Sequence, residues 1–295
     1  MDNNFRIDFI GIGVAKAGTT WIADKLRLHP ELFIPEKKEL FYFNDINDEY
    51  EPVANYRHTK SLDWYHDYFS NATQKQLCGE ISNPYLHIPN AAEAIYRYNP
   101  HLKLFAILRE PVSRAYSHYL YNVHRHHVNY PPFEESIRQK SSFLEQGFYY
   151  KHLSRYLTYF DASQIKIMFY DDLQQDMETF YTELLQFLGV SIFIPQNLTE
   201  KSNETKTARF PWINKSLDKI RYQLHQNNLH AILPLLRKTG IIPLAEYIRD
   251  KANAKKMQAQ TTILAEDTQK RLREMYLSDI ENLEKLTQRD LSAWK

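Results

Sequence analysis

Near the start of the chain an apolar run, IDFIGIG at 7–13, ends on glycine and passes straight into Val14-Ala15-Lys16-Ala17-Gly18-Thr19-Thr20-Trp21. A run of that length closing on glycine reads as a buried strand that stops at a loop. From Thr19 the apolar residues Trp21, Ile22 and Leu26 recur at helical spacing, and the helix must end before Pro30. Small residues between a strand and a helix let backbone N–H groups approach an oxyanion, and the helix start adds unpaired donors and positive potential. Lys16 supplies a point charge, and Thr19 and Thr20 can donate further bonds.

The lysine is misplaced for a nucleoside-triphosphatase loop. That pattern needs lysine directly after the second glycine and then a Ser/Thr that helps hold magnesium. Here Thr19 occupies the lysine position, and Lys16 stands two residues before Gly18. From inside the loop Lys16 can reach an oxygen bridging a 5′-phosphate to its leaving group. A metal-dependent P-loop kinase is therefore the disfavoured alternative, and a nucleotide-binding module without catalysis is another.

The strand–turn–helix order repeats. Leu102 to Leu108 is apolar and is followed by Arg109, then by Pro111 at a first helical position, with a helix expected to about His124. QIKIMFY at 164–170 is a third strand. After it Asp171 or Asp172 is expected to cap a helix whose apolar face runs from Leu173 through Met177, Phe180, Tyr181, Leu184, Leu185 and Leu188 to a stop at Gly189. Residues 77–82 read as a short strand, 44–70 as an irregular insertion rich in aromatics (Trp64, Tyr65, Tyr68, Phe69), and 195–211 as a polar loop. Leu272, Tyr276, Ile280 and Leu283 mark a C-terminal helix. Such alternation implies an α/β fold, a parallel sheet covered by helices.

Thirty-seven basic against thirty-six acidic residues leave a net charge of +1, which argues against a protein devoted to coating nucleic acid or anionic membrane. Cys78 is the one cysteine, so no intrachain disulfide and no paired metal motif is expected. The polar start lacks the pattern of a secretory signal, and charges interrupt every apolar run before the ~18 residues of a membrane span. The expectation is a single cytoplasmic domain over residues 1–295. His118, His124, His126 and His127 are the densest histidine cluster, but zinc would need more ligands, so acceptor binding or solvated helix positions are the readings there.

AKAGTTW resembles the 5′-phosphosulfate loop of sulfotransferases that use 3′-phosphoadenosine 5′-phosphosulfate (PAPS). Lys16, Ala17, Gly18, Thr19, Thr20 and Trp21 stand in the positions of that motif. Arg109-Glu110-Pro111-Val112-Ser113-Arg114-Ala115-Tyr116-Ser117 resembles the family's 3′-phosphate motif, an arginine followed eight residues later by serine. An arginine fork matches a phosphate monoester, and Ser117 adds a hydroxyl. The segment at 203–208 is similar to a loop that closes over the nucleotide in glycan sulfotransferases. It offers Lys206 as a further phosphate contact, although the usual glycine after that lysine is Thr207.

The resemblance extends to GFYYKHLSRYL at 147–157 and ENLEKLTQRDLSAW at 281–294, and it is nearest to the glycan-modifying, heparan sulfate sulfotransferase-like branch and its bacterial relatives. It implies a three-layer, P-loop-like fold with a central parallel sheet, PAPS as donor, the desulfated nucleotide PAP as product, and no required metal. Glu80 in GEISNPYL resembles the family's general base, with Ile81 where related glycan enzymes often carry lysine. Lys16 would stabilise the departing phosphate. Lys38 in PEKKELFYF resembles the lysine of a family segment whose histidine position is Phe41 here, so no histidine can act there. The implied acceptor is a hydroxyl or amine of a saccharide, with a small natural product or lipid as the alternative. The aromatics at 41–69 and 148–160 suit sugar stacking and core packing equally.

Overall fold

The computed structural model describes residues 5–45, 57–125, 131–139, 142–200, 206–208, 239, 254–256 and 264–295. Five strands, β1 (Phe9–Gly13), β2 (Leu32–Phe33), β3 (Leu77–Ile81), β4 (Lys103–Leu108) and β5 (Ile165–Phe169), form one sheet in the order β2-β3-β1-β4-β5. Every pairing is parallel. All five residues of β1 and the last five of β4 are buried, as parallel strands covered on both faces must be. The expected α/β architecture, a parallel sheet flanked by helices, is the one observed.

Packing inside the sheet explains one glycine. Gly79 on β3 lies beside Phe9 on β1, and a Cβ at position 79 would meet the Phe9 ring at 2.3 Å. Only a residue without a side chain lets that ring lie across the neighbouring strand.

Each strand is followed by a helix that buries one face. Helix α1 (Thr19–Leu26) packs Trp21, Ile22, Ala23 and Leu26, and α2 (Leu62–His66) turns Tyr65 inward. Helix α3 (Ala91–Tyr98) follows β3, α4 (Pro111–Arg125) follows β4, and α5 (Phe133–Gln139), α6 (Ser142–Glu145) and α7 (Tyr149–Tyr156) lead to β5. The C-terminal helix Glu266–Thr287 buries Leu272, Tyr276, Ile280 and Leu283, the residues its periodicity singled out.

The segment after β5 departs from expectation. It makes two helices, α8 (Tyr170–Gln175) and α9 (Met177–Leu188), broken at Asp176. Asp176 is extended and caps α9 by accepting from the N–H groups of Glu178 (3.1 Å) and Thr179 (3.0 Å). Asp171 and Asp172 cap nothing in that manner, because the first accepts from the Trp294 indole (3.1 Å) and the second is forked by Arg289 (2.5 and 2.6 Å). The polar stretch read as a loop also contains a strand, β6 (Lys206–Ala208), antiparallel to β7 (Ala254–Lys256). Its partner is remote in sequence, so no local pattern could announce it. Strand β2, two residues long, is likewise too short to show a period.

The chain divides into two compact units. The first comprises Met1–Ala115, Ser141–Ser202 and Ala265–Lys295, and it holds the five-stranded sheet; the second comprises Tyr116–Lys140 and Asn203–Leu264, and it holds β6 and β7. Among the described residues no helix is long and apolar enough to cross a membrane.

Candidate active site

The strand order creates the site. Chain direction takes β1 through α1 to β2 and β3 on one side, then to β4 on the other, so the connections diverge around β1. Ligands of open parallel sheets bind outside the carboxyl ends at such a point. Those ends carry the loop at 14–18, Glu80 with Ser82, and Arg109.

The loop is pinned at its base, where the Val14 N–H donates to Ile107 O (3.0 Å). Gly18 at the helix N-cap adopts φ 84°, and a Cβ there would come within 2.6 Å of Leu173 Cδ2. Glycine is thus needed for both its backbone freedom and its lack of bulk. Lys16 also has a positive φ, 73°, a conformation that non-glycine residues adopt chiefly where surrounding structure imposes it. The first intrahelical bond runs from the Ile22 N–H to Gly18 O (3.1 Å), so the N–H groups of Thr19, Thr20 and Trp21 have no acceptor within the helix, and no side chain caps them. The Trp21 side chain faces elsewhere: its indole N–H donates to Leu198 O (3.0 Å) and its ring packs against Phe180 and Tyr181. What Trp21 can offer an anion is its backbone.

Arg109 and the loop meet directly. The Arg109 Nη1 donates to the Lys16 carbonyl at 3.0 Å, the guanidinium lies 4.9 Å from the centroid of the Tyr170 ring, and Tyr149 donates to the Arg109 carbonyl at 2.7 Å. The start of α4 is already occupied, because Glu110 accepts from the N–H groups of Val112 (3.0 Å) and Ser113 (2.6 Å). A phosphate at this edge would therefore be read by the arginine fork rather than by that helix terminus.

Lys38 reaches the same loop. Its Nζ donates to the hydroxyls of Thr19 (3.0 Å) and Thr20 (3.3 Å) and pairs with Glu39 at 3.5 Å, while Asn83 Nδ2 donates to Glu39 Oε1 at 2.7 Å. Burial holds the ammonium below the ordinary lysine range, against the pull of the Glu39 carboxylate. Sequence gave no pointer to Glu39; its positive φ of 61° in a non-glycine residue is visible only in the fold.

Glu80 is 2% exposed. Its Oε1 accepts from Tyr65 (2.8 Å) and Tyr85 (3.1 Å), its Oε2 from Ser82 (2.7 Å), and the Leu40 backbone adds a fourth bond. Burial pushes the carboxyl above its ordinary range, and the donors of Ser82, Tyr65 and Tyr85 and of the Leu40 backbone pull it back. Tyr65 and Tyr85 escaped the sequence reading because aromatics in such stretches usually serve the core.

The remaining candidates lie outside the residues of the first unit described above. Ser117 on α4 and Lys206 on β6 belong to the second unit. His126 and His127 lie outside the described residues, as does the segment 46–56 of the aromatic insertion.

The all-parallel sheet and the loop that joins β1 to α1 define a P-loop-like α/β protein, and the helix-start donors, Lys38, Arg109 and the buried Glu80 stand at the carboxyl edge of that sheet. The chain belongs to the sulfotransferase domain family, whose model matches residues 6–231. It is 32% identical over 168 residues to a mouse protein described as heparan sulfate glucosamine 3-O-sulfotransferase 5, a match covering 53% of this chain and 46% of that one. A fruit-fly bifunctional heparan sulfate N-deacetylase/N-sulfotransferase (Drosophila melanogaster) is 25% identical over 293 residues, covering 82% of this chain and 27% of the relative. The chain thus spans less than half the length of these curated relatives. The crystal structure of a sulfotransferase from Alicyclobacillus acidocaldarius has the same fold, with a TM-score of 0.69, 24% identity, and coverage of 98% of this chain and 99% of that one.

Proposed function

We propose that residues 1–295 act as one sulfotransferase domain that moves the sulfuryl group of PAPS to a hydroxyl or amine of a saccharide or polysaccharide, releasing PAP. The 3.0 Å bond between Arg109 and the Lys16 carbonyl supports this reading best, because it joins the arginine proposed for the 3′-phosphate to the loop proposed for the 5′-phosphosulfate. The loop donors, Lys16, Thr19 and Thr20 take the 5′ end, and Arg109 takes the 3′-phosphate. Ser117 and Lys206 join the nucleotide contacts on the strength of their sequence motifs alone.

In the transfer the acceptor's O–H (or N–H) bond breaks, a bond to sulfur forms, and the bond from sulfur to the bridging oxygen breaks with its electron pair going to the phosphate. Glu80 takes the acceptor proton. Lys16 and Lys38 stabilise the charge that the phosphate gains, so the step has electrostatic stabilisation without a metal being called on. The saccharide acceptor draws its support from the heparan sulfate-modifying relatives, and a small natural product or lipid is the alternative. A cytoplasmic setting belongs to the same proposal, supported by Cys78, a free buried thiol.

Two measurements test it. Calorimetry with PAP is expected to show binding, and labelled PAPS offered against a panel of glycans, phenols and alcohols is expected to label a glycan. Glu80→Gln should keep PAP affinity and lose transfer by about 10²–10⁴-fold, the range of a general base. Absence of any PAP binding ends the proposal, and full transfer by the Gln variant removes Glu80 from the chemistry. Turnover of ATP with magnesium in place of PAPS would favour the kinase reading.

A further inference from the structure

Glu80 meets three hydroxyls, but they are not equivalent. Ser82 and Tyr85 are near neighbours in sequence, and each also accepts from the aromatic segment, Ser82 from the Phe41 N–H (3.4 Å) and Tyr85 from the Phe43 N–H (3.3 Å). Tyr65 comes from a separate element, α2, and makes the shorter of the two phenol bonds to Oε1, 2.8 Å against 3.1 Å. Its ring is fully buried and has no freedom to swing. It stacks on Tyr42 (centroids 4.5 Å apart, planes 14° apart) and is edged by Phe43, Phe69 and Tyr98 at 5.4, 5.5 and 5.8 Å. Phenylalanine would satisfy that packing as well as tyrosine does, so the hydroxyl is there for Glu80.

We propose that Tyr65 is the positioning residue for Glu80, its rigidly held phenol fixing the carboxylate in place and keeping it ionised until the acceptor proton arrives. The inference rests on the reading of Glu80 as the base. A buried carboxylate far from water drifts toward its neutral acid, which cannot take a proton, and a charge-assisted O–H···O⁻ bond opposes the drift. The bond weakens once Glu80 is protonated, so Tyr65 favours the state before transfer and sets how basic the carboxylate is. Burial and the neighbouring Glu80 charge hold the Tyr65 phenol well above its ordinary range, which makes it a donor and never a competing base. The other groups facing Glu80 are the Tyr85 and Tyr98 phenols, the Ser82 hydroxyl and the Leu40 backbone. With four donors on two oxygens the carboxylate's lone-pair positions are filled, so an acceptor hydroxyl must displace one donor to reach it.

The test is a carbon-13 titration of the Glu80 carboxyl in the full chain, with the resonance assigned by its disappearance in Glu80→Gln. Tyr65→Phe is expected to raise the Glu80 midpoint by about one pH unit, the shift that loss of one charge-assisted bond gives. Tyr85→Phe should move it less, and PAP affinity should stay at the wild-type value in both. If Tyr65→Phe does not fold, 3,5-difluorotyrosine at position 65 keeps the ring and hydroxyl while strengthening the donor, and it should lower the midpoint. A midpoint unmoved by either change, or a larger shift from Tyr85→Phe, overturns the proposal. A shift as expected alongside full transfer by Glu80→Gln would leave Tyr65's hold on Glu80 standing and defeat the base reading instead.

Discussion

The Arg109 guanidinium spends one N–H on the Lys16 carbonyl and lies over the Tyr170 ring, and arginine has five N–H donors in a planar fork. The same group can therefore brace the phosphosulfate loop and grip a phosphate. Arg109→Ala should weaken PAP binding roughly 10- to 100-fold, the cost of losing hydrogen bonds to a charged group, as read by calorimetry. Wild-type affinity in the variant would dismiss the 3′-phosphate assignment. The expectation of that role came from the sequence, where an arginine and a serine at the spacing of the family's motif follow one strand. The caging of Glu80 was not legible there, since its donors come from positions 40, 65, 82 and 85, and only the last two are near it in sequence.

Helix α7 shows how an element can carry a pH dependence. His152 is 1% exposed, its Nε2 donates to Glu145 O (2.8 Å), and its Nδ1 accepts from Arg155 Nη2 (2.5 Å). A proton on Nδ1 would face the arginine's charge and displace its donor. Burial, chiefly, pulls the imidazole from 6.5 down to about 4. A histidine depressed in the fold binds fewer protons folded than unfolded, so its stabilising contribution is complete above about pH 6.5 and drains away as pH falls towards 4. The loss is about 3 kcal/mol for such a shift. Urea unfolding at steps from pH 7 to 4 should show it, and His152→Gln should flatten the slope in that window. An equally steep slope in the variant would assign the effect elsewhere.

At the scale of the whole molecule, residues near the last position brace the region behind the loop and Arg109. Trp294 is 3% exposed, donates from its indole to Asp171, and packs edge-on against Phe169 and Tyr149. Arg289 forks Asp172 and lies 4.1 Å from the centroid of the Phe169 ring. These contacts hold the turn from β5 into α8, which supplies Tyr170 under Arg109 and Leu173 against Gly18. Trp294→Ala should cost about 3–5 kcal/mol in denaturant unfolding, the usual loss for a buried tryptophan, and should weaken PAP binding as well. A loss under about 1 kcal/mol would show that the contact supports little.

Sequence by itself determined the local units: strand, loop and helix at 7–26, strand, arginine and helix from 102 to about 124, and the apolar face of the C-terminal helix. Each depends on periodicity and turn chemistry within a few residues. Tertiary structure decided the rest, namely that β1 lies between β3 and β4, that Lys38 reaches Thr19 and Thr20, and that Tyr65 closes on Glu80. Parallel strands pair only through long crossovers, so strand order and the contacts at the strand ends are non-local and leave no period for a sequence to display.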